Sequence, residues 1–355
     1  MYPFIRSILF LFSPEAAHKI SMSLLRAFCS IPFLRSMISK NFKAPAIPNS
    51  IFGLRFRNPV GLGAGFDKNA EYLREFDALG FGFVEIGTVT PRPQPGNEKP
   101  RVFRLPKDKA LINRMGFNND GVNVVAERLK GWRKYQTSNI KREGSNNSLL
   151  SPLLIGGNIG KNKTTENEEA WKDYEICFRT LHPHVDFFVV NVSSPNTPNL
   201  RALQEKASLH KILTHLQKLN FEFEVQKPIF FKIAPDLEWA QIDDVIDLAN
   251  EIKLDGIVAT NTTISREGLQ TTEHQIQKIG PGGLSGKPVQ KGSTEIVQYI
   301  HQKTNGSIPI IASGGIFTGK DARLKVQSGA SLVEVWTGFI YEGPFIVKRI
   351  CGELA

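Results

Sequence analysis

The chain has 355 residues, 41% of them hydrophobic, a length that α/β barrels reach as one unit and a composition that supports a sizeable core. Its 44 Lys and Arg against 34 Asp and Glu leave a net charge of +10, which points to an anionic membrane surface, acidic substrate or nucleic acid. With no nucleic-acid module and no basic-aromatic repeat, nucleic acid is the weakest of the three and is not an expected partner. Cys29, Cys177 and Cys351 are odd in number and lack metal-ligand spacing, so reduced thiols and no metal centre are expected. His182 and His184, two apart beside Pro183, read as a solvated loop.

In chain order, Phe4, Ile5, Ile8, Leu9 and Phe12 share one helical face. Ser13-Pro14-Glu15 then supplies an N-cap, a proline at the first helical position and an acidic first turn. Ala17, Ile20, Leu24, Ala27, Phe28 and Ile31 form a second apolar stripe. Six basic residues (Arg6, Lys19, Arg26, Arg35, Lys40, Lys43) face one acidic residue, Glu15, a local net charge of +5. The longest apolar run, Ile8 to Phe12, falls far short of the ~20 residues that span a bilayer. A secretory signal fits poorly, because Glu15 and Lys19 follow at once. Residues 1–43 therefore read as two amphipathic helices, lying on an anionic membrane surface or packed on the protein's own core. The sequence leaves both readings open.

From about residue 55, short apolar runs alternate with helical segments such as Asp243–Lys253 and Lys320–Gly329. Eight strands are predicted: Pro59–Ala64, Phe81–Gly87, Leu153–Asn158, Phe187–Asn191, Ile229–Ile233, Gly256–Thr260, Pro309–Ala312 and Leu332–Trp336. Their near-continuous apolar character fits parallel strands buried on both faces. The fold class is α/β, a (β/α)8 barrel over residues 44–355 with the helical extension 1–43. A doubly wound sheet is the runner-up, but no Gly-x-Gly-x-x-Gly opens a first helix. Residues 91–118 form a long link with two strand-like pieces, Val102–Leu105 and Ala110–Ile112. Residues 137–149 are polar and read as a surface loop.

Polar residues gather where the predicted strands end, which is where a barrel carries its active site. They are Asp67-Lys68, Thr88, Asn158, Asn191, Lys232 and Thr260-Asn261-Thr262. Each alone has a bland reading as a cap, a satisfied core amide or a solvated lysine. Lys232 resists that reading, because a charge inside Phe230-Phe231-Lys232-Ile233 is costly without an anion or a site. A Schiff-base lyase using Lys232 is one alternative. After Asn191 the chain runs Val192-Ser193-Ser194-Pro195-Asn196-Thr197-Pro198-Asn199. Two prolines bar helix and sheet there, and its amides suit a planar ligand with alternating carbonyl and N–H groups. Glycine clusters at Gly282-Gly283-Leu284-Ser285-Gly286, Ser313-Gly314-Gly315-Ile316 and Thr337-Gly338 let backbone N–H groups surround a phosphate. A flavin mononucleotide (FMN) fits this set of groups.

These residues resemble dihydroorotate dehydrogenase. The resemblance rests on Gly65-Phe66-Asp67-Lys68-Asn69, Pro91-Arg92-Pro93-Gln94-Pro95-Gly96-Asn97 and Asn113-Arg114-Met115-Gly116-Phe117-Asn118-Asn119. It rests equally on Asn191-Val192-Ser193-Ser194-Pro195-Asn196-Thr197, Gly283-Leu284-Ser285-Gly286 and Ala312-Ser313-Gly314-Gly315. The membrane-associated, quinone-reducing class is the closer match, because Ser194 stands where the soluble class has cysteine and residues 1–43 look like its helical extension.

The resemblance implies oxidation of dihydroorotate to orotate, with Ser194 as the base and FMN passing electrons to a membrane quinone, in pyrimidine biosynthesis. Lys68, Asn113, Arg114, Met115, Gly116, Phe117, Asn191, Asn196, Asn261 and Thr262 would meet the substrate. Ala64, Gly65, Phe66, Asp67, Lys68, Thr88, Asn158, Asn191, Lys232, Thr260, Gly286, Gly315, Trp336 and Thr337 would meet the flavin. His18 and Arg101 match the quinone entrance. A serine is a poor free base, and no histidine in the sequence is placed to help it, so a water relay with Thr197 is expected. Trp336 stands where the family usually has tyrosine; a backbone contact would survive this, a hydroxyl contact would not. Gly63 and Phe66 depart mildly from the family's choices. The expected location is peripheral, on the cytoplasmic face of a bacterial inner membrane. The alternatives are a soluble FMN-dependent dehydrogenase of related fold with another acceptor, the Lys232 lyase, and a catalytically silent membrane-surface protein.

Overall fold

The computed structural model describes residues 2–143 and 151–355. The chain opens with helices α1 (Tyr2–Leu9), α2 (Pro14–Ser30) and α3 (Pro32–Phe42). Ser13 caps α2 by accepting the Ala16 N–H, and a proline starts both α2 and α3. The third helix is one more than the apolar stripes predicted.

A hairpin of β1 (Asn49–Ile51) and β2 (Leu54–Phe56) leads into the barrel. Then come β3 (Val60–Leu62), α4 (Leu73–Ala78) and β4 (Phe83–Val89). An excursion through β5 (Val102–Leu105) and β6 (Ala110–Asn113) precedes α5 (Val122–Glu143). The alternation continues with β7 (Leu154–Ile159), α6 (Ala170–Leu181), β8 (Phe187–Asn191), α7 (Lys206–Asn220), β9 (Ile229–Ile233), α8 (Trp239–Glu251) and β10 (Gly256–Ala259). A second excursion holds α9 (Glu273–Ile279) and β11 (Gly283–Gly286). The chain ends with α10 (Gln290–Lys303), β12 (Ile310–Ser313), α11 (Gly319–Gln327), β13 (Leu332–Val335), α12 (Thr337–Glu342) and α13 (Ile346–Leu354). Strands β3, β4, β7, β8, β9, β10, β12 and β13 close into a barrel of eight parallel strands, the architecture read from the sequence.

The barrel interior explains which side chains face the site. Phe83, Phe187, Phe230, Val258, Ile311 and Leu332 fill its lower part, and Phe56 of the hairpin plugs the bottom. Each interior phenylalanine needs a glycine on the adjoining strand. A Cβ on Gly61 would lie 2.2 Å from Phe83, one on Gly156 2.5 Å from Phe187, and one on Gly256 2.6 Å from Phe230. Side chains two apart along a strand share a face. The next inward positions are therefore Glu85 after Phe83, Asn158 after Gly156, Asn191 after Val189, Lys232 after Phe230, Ser313 after Ile311 and Glu334 after Leu332. An apolar floor thus carries a polar ceiling at the C-terminal ends of the strands.

Three sequence expectations need correction. His182, read with His184 as part of a solvated loop, is buried at the end of α6 and stacks on Phe223 with ring centroids 3.6 Å apart. Residues 137–143, read as the start of a polar loop, continue α5. No Pro or Gly interrupts the helix between Trp132 and Glu143, and polarity alone does not end a helix whose buried stripe (Val125, Leu129, Trp132) anchors it. The rest of that stretch lies outside the described residues. Residues 283–286, read as part of a glycine loop, form β11, antiparallel to β6. Burial of Leu284 against Leu105, Ala110 and Ile112 makes that strand.

Candidate active site

A cavity of about 1000 Å³, counting its open mouth, lies over the polar ceiling. It brings together Ala64, Gly65, Lys68, Thr88, Asn113, Met115, Gly116, Phe117, Asn191, Ser194 and Asn196 from the ends of β3, β4 and β8 and the β5–β6 excursion. Lys232, Thr260, Asn261, Thr262, Gly286, Gly315, Trp336 and Thr337 complete it. Every predicted strand-end residue except Asp67 and Asn158 lines this one space.

The amides are wired to each other. Asn191 Nδ2 donates to Thr88 Oγ1 at 2.9 Å and to Asn158 Oδ1 at 3.2 Å. Asn261 Nδ2 donates to Ser193 Oγ at 2.9 Å, and Asn196 Nδ2 to Asn113 Oδ1 at 3.1 Å. Ser194 Oγ accepts the Asn196 N–H at 3.3 Å, which leaves its own proton free for a partner in the cavity. The loop is pinned from behind. Arg201 donates to the Ser193 carbonyl at 3.1 Å and the Thr262 carbonyl at 3.2 Å, and pairs with Asp236 at 2.9 Å. A lone arginine in a loop carries no sequence signal for that role.

Lys68 donates to the Gly116 carbonyl at 2.8 Å and Asn118 Oδ1 at 2.6 Å. Both partners are neutral. Burial, with Arg101 adding like charge, pulls its ammonium down to about 7. An enclosed lysine of this kind is set up to receive an anion from the cavity side.

Lys232 is placed differently. Its Nζ lies 3.0 Å from Glu85 Oε2 and 3.3 Å from Glu334 Oε2, and both carboxylates are fully buried. Burial pushes this ammonium down, but Glu334 and Glu85 outweigh it and hold the group above its ordinary value. A protonated amine has no lone pair with which to attack a carbonyl, so the Schiff-base reading is set aside. The two acids were missed in the sequence. The signal was the same as for Lys232: a charge two residues after an inward apolar position.

Four predicted contact residues lie off the cavity. Asp67 turns away to accept the Glu71 and Tyr72 N–H groups, each at 2.8 Å. Phe66 packs against Phe76, Phe339 and Trp336. Asn158 lies one layer below, bonded to Thr88, Asn191 and Glu85. Arg114 points outward over Phe103 and bonds the Ile279 carbonyl. Asp67 and Arg114 tie down neighbouring backbone, while Phe66 and Asn158 pack behind the cavity wall.

The N-terminal helices dock beside the mouth. Glu15 of α2 meets Arg101 at 3.0 Å, and Arg101 also holds the Pro95 and Asn97 carbonyls. The His18 ring stands edge-on to Phe66 at 4.8 Å, and Phe66 to Trp336 at 5.5 Å. Burial depresses the imidazole, so it is neutral at neutral pH. An aromatic line therefore runs from α2 to the cavity wall. Phe4 on α1, Leu11 in the turn before α2 and Phe33 on α3 are exposed to 73%, 84% and 71%. The extension thus packs on the barrel through one side and presents apolar residues on another, so the two sequence readings are not exclusive. Among the described residues, no helix is long and apolar enough to cross a membrane, and no cluster of three or more His, Cys, Asp or Glu could hold a metal ion.

A family model described as dihydroorotate dehydrogenase matches residues 47–355. The chain is 51% identical to the dihydroorotate dehydrogenase (quinone) of Christiangramia forsetii, over 98% of this chain and 96% of that protein. It is 46% identical to the protein of the same name from Gloeobacter violaceus, over 100% of this chain and 94% of that protein. The crystal structure of Eimeria tenella DHODH in complex with ferulenol superposes with a TM-score of 0.82 at 40% identity, covering 96% of this chain and 90% of that one. With the barrel, the serine loop and the full-length matches in agreement, the chain belongs to the dihydroorotate dehydrogenase family.

Proposed function

We propose that this chain oxidises dihydroorotate to orotate, using FMN as its resident cofactor and a membrane quinone as final acceptor. The observation that carries the reading is one cavity joining a serine, an anion-ready lysine and a ring of amides to glycine-lined backbone.

The residues fit FMN. Gly314 and Gly315 line the cavity with φ of +113° and +74°, and a Cβ on Gly315 would lie 2.4 Å from Gln290 Cβ, so only glycine fits this turn. Their backbone would face a phosphate with no side chain between. The first-turn N–H groups at Thr337 and Gly338 have no intrahelical acceptor, so they suit the same anion. Lys232, Thr88, Asn191 and Thr260 would hold the ring. When bound, the flavin supplies the hydride acceptor for the substrate and the two-electron donor for the quinone.

Ser194 Oγ takes the proton from the substrate carbon next to the ring carbonyl. A hydride leaves the neighbouring carbon, and the ring double bond of orotate forms. Lys68 binds the substrate carboxylate, with Asn113, Asn196, Asn261 and Thr262 matching the ring's carbonyls and N–H groups. Held in register, the serine acts at high effective concentration. Thr197, three residues on and buried, would complete a water relay for its proton.

Residues 1–43 form the acceptor-side unit and 44–355 the catalytic unit. A quinone approaches between α1 and α2, past His18 and Arg101, toward Trp336. Neutral His18 suits an apolar ligand. The exposed apolar residues with their basic neighbours rest on an anionic membrane surface, at the cytoplasmic face of a bacterial inner membrane. The test is the visible spectrum of the purified full chain. A yellow protein that dihydroorotate bleaches and quinone restores supports the reading. A chain that neither carries nor takes up FMN refutes it.

A further inference from the structure

Two carboxylates and one ammonium share a buried spot at the centre of the barrel. Glu85 reaches in from β4, Lys232 from β9 and Glu334 from β13, and both acids are fully buried. Burying three charges with one negative in excess is expensive. The hydrogen bonds are also incomplete. Glu85 Oε1 and Glu334 Oε1 are buried and without a partner among the described residues.

The two acids are not equivalent. Glu85 Oε2 receives the Lys232 ammonium at 3.0 Å and Asn158 Nδ2 at 3.2 Å. Glu334 Oε2 receives only Lys232, at 3.3 Å. The adjoining strands bring Gly63 and Ser313 beside Glu334, and neither adds a charge. The groups whose charge acts on it are Glu85 and Lys232. Glu334 also faces the cavity, whereas Glu85 lies beneath it.

We propose that Glu85 and Glu334 share one proton, carried by Glu334, and that Glu334 thereby sets the charge that the Lys232 site presents to the bound flavin. The second half rests on the FMN reading above. With the proton in place the trio is neutral: Glu85 minus, Lys232 plus, Glu334 uncharged. One proton also answers the orphaned oxygens, because a protonated Glu334 becomes a donor. Burial first, and the Glu85 charge next, push Glu334 well above the carboxylate range, while Lys232 only partly offsets them. Losing that proton at high pH would place a negative charge beside a ring that gains electrons. Glu334 is in these terms a positioning residue for the cofactor's charge.

The experiment uses the full chain, with FMN removed and restored. Infrared spectroscopy of the wild type at pH 7 should show a protonated-carboxyl C=O band that E334Q lacks. E334A should loosen FMN, and E334Q should restore binding to within roughly threefold of wild type at pH 7, because Gln copies a neutral acid. The FMN midpoint potential of wild type should fall in an alkaline transition that E334Q has lost. Absence of the band, or an E334Q protein that binds FMN on the order of tenfold or more tighter with a raised potential at pH 7, overturns the proposal, since both report an ionised Glu334. If the wild type fails to take up FMN, the flavin reading and the charge-setting half fall together, while the band alone decides the shared proton.

Discussion

Lys68 offers the sharpest test of how substrate is held. Its ammonium is enclosed by neutral partners, and burial with Arg101 nearby draws it from 10.5 down to about 7. A lowered lysine is charged below its folded value and neutral above it. Binding a carboxylate requires the charged form, so orotate affinity should be flat below about pH 7 and weaken above it. The limiting slope is about tenfold per pH unit, which makes binding at pH 9 about 100-fold weaker than at pH 6. The assay is equilibrium binding of orotate to the full chain from pH 5.5 to 9.5. Lys68→Met should bind weakly at every pH and lose the slope. Arg101→Leu should move the midpoint upward, because it removes a like charge. Wild-type affinity that stays constant from pH 6 to 9 would show that no titrating cation receives the carboxylate.

Other outcomes follow from the same geometry. Ser194→Ala should keep its flavin yet reduce it about 10²–10⁴-fold more slowly in stopped flow, and an unchanged rate removes the serine from its role as base. Deleting residues 1–43 should leave dihydroorotate-driven bleaching intact while abolishing turnover with a quinone; retained quinone turnover would place the acceptor elsewhere. Leu11→Glu with Phe33→Glu should lower binding to anionic vesicles in a flotation assay, and undiminished flotation counts against the membrane face. Gly156→Ala, whose Cβ would lie 2.5 Å from Phe187, should cost about 1–3 kcal/mol by denaturant unfolding. A neutral result there would mean that the barrel floor is looser than its packing implies.

Much of this protein was legible in its residues. Eight apolar runs in alternation with helices specify the barrel, because parallel strands bury both faces and cannot hide that pattern. Strand-end polar residues such as Lys68, Thr88, Asn191 and Asn261 were readable for a related reason: the barrel places strand ends at one mouth. Even Lys232 announced itself by the cost of a charge in an apolar strand.

The tertiary structure decided the rest, wherever partners come from distant chain positions. Glu85 and Glu334 are 249 residues apart, and only barrel closure brings both against Lys232. Asp67 and Asn158 sit at strand ends like the lining residues, yet the bend of one loop and the depth of one layer take them off the cavity. The N-terminal helices could have been surface-bound or self-packed by composition alone. The structure shows docking through Glu15–Arg101 and leaves Phe4, Leu11 and Phe33 exposed, which composition could not state, because amphipathicity says that a face must be covered and never by what.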